Sequence, residues 1–477
     1  MPGSAKKANN AFYKFDAHRL SMLDNLLKKV LKDIKPDKKE IERLTACSNE
    51  LMSRLHAVVP KSVEIITAGS IAHGTHLKGS SDIDIFMLFP KENDERSMER
   101  RALEFAKKIV DKGKNESYEI KYAEHPYLRL FLGDLDVSAD IVPAFKIRDA
   151  SEMGSAVDRT QLHTEFVVSH LSEKQKDEVR LLKYFLGQHD IYGAEAMTEG
   201  FSGYLCELLV YHYGSFAKLI EGFARLRLPI AIYPETRAVA TGKQLEELAK
   251  RFSSNFIVID PTDKERNVAA NVSVESLARL TLLARRLLKY PVEKVFFREE
   301  YGDISARTKI AKFEKLMGSK MYTITMRLDD IAEDILWQQI KKLKNRIEVE
   351  LSREGFAPIL SLQSLEKDRG VIAFFIERNA KRVEVVQGPS VFMPEAAEKF
   401  ASAHAYKALA GTLKAERLIY FEKPAYREPE SLIRSLLRSK QGMPSHIRKG
   451  SIKVMSKGIE EEYAKMLYKR LVFATTI

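Results

Sequence analysis

The sequence predicts an α+β protein of several domains. The chain has 477 residues, more than one compact core normally holds, and about three domains are expected. Its composition, 45% hydrophobic and 30% charged, is that of a globular protein and excludes a disordered chain. The hydrophobic pattern changes along the chain between helical and β spacing, and each stretch indicates its own type of domain.

The first domain, residues 1–150, is predicted to be a mixed sheet with flanking helices. Helical spacing covers residues 12–58, where Pro36 interrupts it, and returns over 96–112. Short runs rich in β-branched and aromatic residues predict five strands. They are expected at 63–68, 82–89, 118–123, 127–132 and 135–142, the last ending at Pro143.

The second domain, residues 151–288, is predicted to be mostly helical, with helices such as 174–186, 201–216 and 274–288. Strands return in the third, residues 289–477. Strands are expected at 321–328, 356–362, 371–377 and 417–421, with helices at 331–351 and 394–407. This β-α-β-β-α-β order predicts a ferredoxin-like core at about 320–424 with a helical tail.

The charge of the chain points to a polyanionic partner. Its 78 Lys and Arg against 66 Asp and Glu give +12, and residues 431–459 carry seven basic and no acidic side chains. Nucleic acid is the first candidate partner, although solubility alone would also explain the charge. Cys47 and Cys206 are too few for a disulfide framework, which favours the cytoplasm. We expect no membrane span, because no apolar run reaches 18 residues. We expect no signal peptide, because the first residues, MPGSAKKANNAF, lack its apolar core.

The segment 69–86, GSIAHGTHLKGSSDIDIF, carries the clearest chemical pattern. Asp82 and Asp84 alternate with isoleucines on a predicted strand, so both carboxylates share one face. Such a pair repels unless a cation lies between, and oxygen ligands suit Mg²⁺. Asp140 on the strand at 135–142 supplies a third carboxylate for a site with two metal ions. Gly69 and Ser70 follow a strand directly, where backbone N–H groups and a hydroxyl can bind phosphate.

This arrangement resembles the signature of the polymerase-beta-like nucleotidyltransferases. Further segments in order, RTQLHTEFV, LLKYFLGQHDIYGAE, GFSGYLCELLV, IDPTDKERNVAANVS and GPSVF, resemble the archaeal, class I, CCA-adding enzymes over nearly the whole chain. The resemblance implies four parts: a nucleotidyltransferase head at 1–150, a neck at 151–288, and a body and tail at 289–477. It also implies addition of C, C and A to the 3′ end of tRNA from CTP and ATP.

The resemblance assigns roles to individual residues. Asp82, Asp84 and Asp140 would be catalytic and hold two Mg²⁺ ions, with Gly69 and Ser70 at the triphosphate. Arg266 would help to select the incoming base. The remaining nucleotide-binding residues would be Thr160, His163, Lys183, Tyr192 and Ser202. Taken singly, Lys183 could be a solvated lysine, His163 a buried histidine, Tyr192 a core residue and Arg266 a turn residue.

One position departs from the family pattern. The family usually has an arginine three residues after the serine, and here that residue is His73. Imidazole titrates near neutrality, whereas a guanidinium stays charged and grips phosphate through two hydrogen bonds. We expect His73 to face the triphosphate still, with His76 or Lys78 as compensating groups.

Two sets of basic residues are candidates for binding tRNA phosphates: the stretch 431–459 and the helix with Lys341, Lys342, Lys344 and Arg346. For that helix, a solvated outer face explains the charges equally well. Two other functions stay open. One is a poly(A) polymerase or oligoadenylate synthase-like enzyme, and the other is a non-catalytic RNA-binding relative. The sequence also leaves open whether the chain forms a homodimer.

Overall fold

The computed structural model describes residues 17–91, 94–122, 124–133, 135–297, 305–377, 383–439, 443, 445–447 and 450–475. The chain divides into two units, Met1–Arg298 and Glu299–Ile477. The first unit therefore contains all of the regions predicted as head and neck, together with residues 289–298 of the region predicted as body and tail, and the second unit contains the rest of that region.

A five-stranded mixed sheet forms the first part of unit one. Its order is β1-β2-β5-β4-β3, and only the β2–β5 pair among these is parallel. The strands are β1 Glu64–Ala68, β2 Asp82–Phe89, β3 Glu116–Tyr122, β4 Pro126–Leu132 and β5 Val137–Phe145. The helices are α1 Ala17–Ile34, α2 Lys38–Val58, α3 Gly69–His73 and α4 Glu95–Lys108, with a 3₁₀ turn at Lys112–Lys114. The mixed sheet predicted for this region is confirmed.

The sheet is held by an apolar core in which alternate strand residues meet helix α2. Ile83, Ile85 and Met87 on β2 pack with Leu51 and Leu55 of that helix, and all are 0–1% exposed. β5 continues through Pro143, contrary to the prediction that this proline ends it. The pairing of β5 with β4 stops at Ile141, so the missing N–H of the proline removes no ladder bond on that side.

The second part of unit one is mainly helical, as predicted, and also holds a small sheet that was not predicted. The helices are α5 Thr160–His170, α6 Glu173–Gln188, α7 Gly203–Tyr213, α8 Phe216–Ala224, α9 Gly242–Phe252, α10 Val274–Lys289 and α11 Glu293–Phe296, with 3₁₀ turns at Ala150–Glu152 and Val157–Arg159. The strands are β6 Ile230–Tyr233, β7 Ala238–Val239, β8 Phe256–Asp260 and β9 Asp263–Asn267, in the order β7-β6-β8-β9. Strands of two to five residues are too short to show a recognisable alternation of apolar and polar residues.

Unit two contains a four-stranded and a three-stranded sheet. Its strands are β10 Ser319–Arg327, β11 Pro358–Glu366, β12 Arg369–Glu377, β13 Glu384–Ser390, β14 Ala408–Lys414, β15 Arg417–Glu422 and β16 Lys453–Met455. Its helices are α12 Ala306–Leu316, α13 Glu333–Arg353, α14 Pro394–His404, α15 Pro429–Arg438 and α16 Glu461–Thr475. The sheet orders are β11-β12-β10-β16 and β13-β15-β14.

The β-α-β-β-α-β order of the body is present, with a different final helix and strand from those predicted. The four-stranded sheet is completed by β16, which pairs with β10 through Ile324 and Val454, and α15 precedes it. The segment 417–421 instead pairs with β13 and β14 in the three-stranded sheet. The pairing of β16 with β10 joins segments that lie far apart in the sequence. The local sequence pattern therefore could not predict whether β16 or the segment 417–421 would pair with β10.

Candidate active site

Three carboxylates meet on two neighbouring parallel strands of the head. β2 carries Asp82 and Asp84, and β5 places Asp140 directly opposite Asp84. Ile83 and Ile85 alternate with the aspartates and are buried in the core, so the carboxylates lie on the opposite face of the sheet. Paired strands are about 4.8 Å apart, which brings Asp84 and Asp140 within reach of one cation.

Asp84 is the carboxylate whose charge is least compensated. Burial, followed by the negative charges of Asp140 and Asp82, raises the pKa of Asp84 to about 6. The positive charge of Arg129 acts in the opposite direction but does not outweigh burial and the two neighbouring carboxylates. The arrangement therefore favours a bound cation, which would relieve the repulsion among the three groups.

Two residues that the sequence analysis did not single out hold the other carboxylates. Arg129 on β4 lies opposite Asp140 and donates from Nε and Nη2 to its two oxygens, each at 2.6 Å. The hydroxyl of Ser138 donates to Asp82 Oδ1. An arginine inside the apolar strand PYLRLFL was the available signal for Arg129, but its partner depends on strand pairing.

Gly69 and Ser70 begin helix α3 directly after β1. Gly69 has a φ of +68°, and a Cβ there would lie 1.9 Å from Asp84 Oδ2. Only glycine allows the backbone to pass so close to this carboxylate. The Ser70 carbonyl accepts from the N–H groups of Thr75 and His76 at 2.9 and 3.1 Å, which closes the segment 70–76 into a compact turn beside the aspartates.

A buried carboxylate on α7 ties this turn to the helices of the neck. Glu207 Oε1 accepts from the Thr75 hydroxyl at 2.6 Å and from Lys183 Nζ at 3.2 Å. Burial alone would raise the pKa of Glu207, but the charge of Lys183 and the hydrogen bonds from His73 and Thr75 outweigh it, and the pKa falls to about 2. Lys183 is 3% exposed, so it is a buried partner of Glu207 and not an ordinary solvated lysine.

His73 belongs to the same buried network. It is 6% exposed, its Nδ1 contacts Glu207 Oε2 at 3.0 Å, and its Nε2 contacts Thr164 Oγ1 at 3.1 Å. Both ring nitrogens are thus engaged inside the protein. Of the two residues expected to compensate for the missing arginine, His76 is buried and Lys78 is exposed.

Tyr192 and Lys183 come together around Gly203, the first residue of α7. A Cβ at Gly203 would lie 3.3 Å from Tyr192 Oη and 3.6 Å from Lys183 Nζ. Tyr192 is 37% exposed, which argues against a role as an ordinary core residue. Ser202 caps α7, since its hydroxyl accepts from the N–H of Leu205 at 3.2 Å.

A second buried carboxylate, Asp260 at the end of β8, collects two of the residues expected to bind the nucleotide. Asp260 Oδ2 accepts from His163 Nε2 at 3.0 Å and from Arg266 Nη1 at 2.8 Å. His163 also stacks on Tyr204, with ring centroids 3.8 Å apart. Thr160, the first residue of α5, lies one helical turn before His163. Glu207, Asp260 and Tyr204 lie in quoted motifs, but the sequence did not distinguish them from structural residues.

The basic residues considered for tRNA binding lie in unit two. In the stretch 431–459, four basic residues are described, and all are exposed: Arg434, Arg438, Lys453 and Lys457. The other three, Lys440, Arg448 and Lys449, lie outside the described residues. On α13, Lys344 contacts Glu348 at 3.4 Å and Arg346 donates to Ser439 at 3.3 Å, whereas Lys342 is exposed.

A separate group of potential metal ligands lies near α4. Atoms of Glu95, Glu99 and His125 lie within 4.8 Å of one another. His125 Nδ1 is 3.0 Å from Glu99 Oε1, a distance that a simple hydrogen bond explains. Within the described parts of the chain, no helix combines the length and apolar character needed to cross a membrane.

Comparisons with known proteins identify the family of the chain. Residues 49–163 match the nucleotidyltransferase domain, 177–297 the tRNA nucleotidyltransferase second domain, and 317–456 the CCA-adding enzyme C-terminal domain. The CCA-adding enzyme of Methanocaldococcus jannaschii is 34% identical over 79% of this chain and 83% of its own length. That of Archaeoglobus fulgidus is 33% identical over 87% and 89%, and that of Saccharolobus shibatae is 36% identical over 71% and 74%. The chain therefore belongs to the family of CCA-adding enzymes, which are tRNA nucleotidyltransferases.

Proposed function

We propose that this protein adds C, C and A to the 3′ end of tRNA from CTP and ATP, releasing pyrophosphate, at a site built on Asp82, Asp84 and Asp140. The observation that carries the proposal is the pairing of Asp84 with Asp140 on parallel strands, beside a glycine whose backbone reaches the Asp84 carboxylate. The similarity to CCA-adding enzymes extends through both units of the chain. That extent favours CCA addition over a poly(A) polymerase or an RNA-binding relative without activity.

The three carboxylates suit divalent cations, and we propose two Mg²⁺ ions. All potential ligand atoms are hard oxygens, and burial together with Asp140 and Asp82 disfavours the negative charge of Asp84 unless a cation is bound. When bound, such ions lower the pKa of the attacking 3′-hydroxyl and offset the charge of the triphosphate. Asp82 and Asp84 would hold the ion at the triphosphate, and all three carboxylates would hold the ion at the hydroxyl.

The protein's own groups would then bind and orient the nucleotide. The backbone at Gly69 passes next to the Asp84 carboxylate and Ser70 follows it directly, so we assign Ser70 and the backbone N–H groups of this turn to the triphosphate. Tyr192 is partly exposed beside Gly203, and we assign it to the sugar of the same nucleotide. Lys183 is buried against Glu207, and we propose that it acts on the phosphates through its positive charge. His163 and Arg266, joined through Asp260, would face the base.

His73 takes an indirect part in this assignment. Its two ring contacts, to Glu207 and Thr164, hold the turn 70–76 against the neck. We propose that His73 acts on the triphosphate by placing Ser70. Lys78, which is exposed, would supply the positive charge in place of the missing arginine. Nucleotide affinity of the wild type and of His73→Gln tests for direct contact, since only a ring that touches the triphosphate loses a phosphate contact on substitution while Ser70 stays in place.

For tRNA, we propose phosphate contacts by the exposed basic residues of unit two. Contacts of this kind read the shape of the RNA and weaken with salt. Arg434, Arg438, Lys453 and Lys457 are the described residues we assign to this surface. We place the reaction in the cytoplasm, in agreement with two buried cysteines that are free thiols.

The test is incorporation of labelled CTP and ATP into tRNA that ends at the discriminator base. We expect CTP alone to add two residues, ATP alone to add none, and both together to add three. Extension by ATP alone would instead indicate a poly(A) polymerase. Asp84→Asn should bind tRNA with unchanged affinity and incorporate neither nucleotide, which separates loss of chemistry from loss of binding.

A further inference from the structure

Asp260 lies at the meeting point of His163 and Arg266 and is completely buried. Its two oxygens do different work. Oδ2 accepts from His163 Nε2 and Arg266 Nη1, at 3.0 and 2.8 Å. Oδ1 accepts from the N–H of Thr262 at 3.0 Å, from the Thr262 hydroxyl at 2.8 Å and from the Tyr204 hydroxyl at 3.1 Å.

We propose that Asp260 is a positioning residue for base selection: through Oδ2 it fixes the Arg266 guanidinium and the proton of His163 at the place where the incoming base is read. The inference rests on the proposed function, because it assumes that His163 and Arg266 face the base. It adds a role for a residue that cannot itself reach the nucleotide, since none of its side chain is exposed.

The tautomer of His163 follows from this contact. An ionised carboxylate only accepts hydrogen bonds, so the Nε2 atom of His163 must carry the proton and Nδ1 is the unprotonated nitrogen of the neutral ring. Burial lowers the pKa of His163, which keeps the ring neutral near pH 7. Burial would also raise the pKa of Asp260, but the hydrogen bonds from His163, from the Thr262 N–H and from Arg266 hold it well below its ordinary value. The stacked Tyr204 ring fixes the plane of the imidazole.

The Arg266 guanidinium is likewise held in one orientation. Its Nη1 donates to Asp260, which is not exposed, while the Arg266 side chain as a whole is 32% exposed, so one amino group is anchored in a side chain that is partly accessible. An anchored N–H group of Arg266 can donate to the unprotonated ring nitrogen of cytosine or adenine. Uracil and guanine carry an N–H at that position and cannot accept. Such a donor discriminates only while it is held in place, because a mobile guanidinium can turn away from the N–H.

Asp260→Asn is the variant that separates positioning from folding. The asparagine keeps the size of the side chain and an oxygen for Thr262 and Tyr204, but replaces Oδ2 by an NH₂ group. This group cannot accept from His163 or Arg266. It can donate to Nε2 and so reverse the tautomer of His163, as is known for the histidine of serine proteases. Thr262→Val is the matched control, since it removes a donor to Oδ1 and leaves both donors to Oδ2.

Two measurements test the proposal. With tRNA and saturating metal, Asp260→Asn should raise KM for CTP and ATP about tenfold to one hundredfold, the usual effect of losing a hydrogen bond to a charged group. The preference for CTP over UTP should fall by a similar factor, while Thr262→Val keeps that preference. In ¹⁵N NMR spectra of histidine-labelled protein, assigned with a His163→Gln variant, wild-type His163 should show its proton on Nε2 and Asp260→Asn should show it on Nδ1.

The outcomes distinguish this inference from the proposed function. A wild-type protein that incorporates no CTP would refute the function but leave the tautomer measurement valid. Active wild type together with an unchanged CTP preference in Asp260→Asn would refute the role of Asp260. If Asp260→Asn does not fold, the wild-type spectrum decides, because a proton on Nδ1 of His163 would contradict the contact on which the inference depends.

Discussion

Replacement of Asp84 by asparagine should stabilise the metal-free protein while it abolishes nucleotide transfer. Asp84 lies opposite Asp140 on β5 and two residues from Asp82 on its own strand, and the negative charges of both raise its pKa. Without a cation, the folded protein must hold this carboxylate in a place that disfavours its charge. An amide of the same size carries no charge and relieves the repulsion, but it is a poor ligand for a divalent cation.

The magnitude follows from the pKa of Asp84, which rises from 3.8 to about 6 on folding. A pKa change of one unit corresponds to about 1.4 kcal/mol. Once Asp84 is fully ionised, its charge therefore lowers the free energy of unfolding by about 3 kcal/mol. The sign is opposite to that of a salt-bridged carboxylate. The cost is absent below pH 3.8, where both folded and unfolded states are protonated, grows between pH 3.8 and 6, and is complete above pH 6.

Urea denaturation of wild type and Asp84→Asn in EDTA, at pH 4 to 8, measures this difference. Far-UV circular dichroism follows the whole chain, and fluorescence of Trp337, the single tryptophan, follows unit two as an internal control. We expect the variant to gain about 3 kcal/mol at pH 7 and little at pH 4, with no shift in the fluorescence transition. Added Mg²⁺ should stabilise only the wild type. A variant no more stable than wild type at pH 7 would refute the reasoning.

Three further predictions follow from the same contacts. Gly69→Ala should lower CTP incorporation at least one hundredfold, because its Cβ would lie 1.9 Å from Asp84 Oδ2. Gly79 is also at positive φ but has nothing within 4 Å of a Cβ, so Gly79→Ala should lower stability and leave activity unchanged. Equal activities of the two variants would contradict the clash. Glu207→Gln should destabilise unit one by about 3 kcal/mol because Lys183 is left buried without its counter-charge, and thermal unfolding should show partial recovery when Lys183→Met is added. The stabilisation by Glu207 is complete above pH 4.5, its ordinary value, and is lost as pH falls toward about 2. The Mg²⁺ concentration for half-maximal activity should rise about tenfold per pH unit below about 6, as Asp84 takes up a proton; a flat profile would show that Asp84 is not a ligand.

The head was the part most open to prediction from the sequence. The strand at 82–89 is observed with the predicted bounds, because apolar and polar residues alternate and Pro90 follows. Asp140 could be placed on a neighbouring strand by the same pattern. The strand partners could not be predicted, so the contact of Arg129 with Asp140, which needs β4 paired with β5 in the observed register, was found only in the structure.

In the neck and the body, the local sequence pattern did not determine every strand or every strand pairing. β8 is a run of five buried residues between helices, and a run of that length fits either a strand or a helix turn. In the body, 417–421 and 453–455 both have strand character, and the shorter segment takes the edge of β10.

The amino-acid sequence alone determined the chemistry available to this protein: two aspartates on one strand face, a glycine and serine after a strand, and a surplus of positive charge. Those features depend on residues close in the chain, where spacing decides which side chains share a face. The tertiary structure decided which groups restrain which. Glu207 meets His73 across 134 positions of the chain, and Asp260 meets His163 across 97. Such contacts bury a charge beside its partner, and only the packing of the sheet against the neck helices brings the partners together.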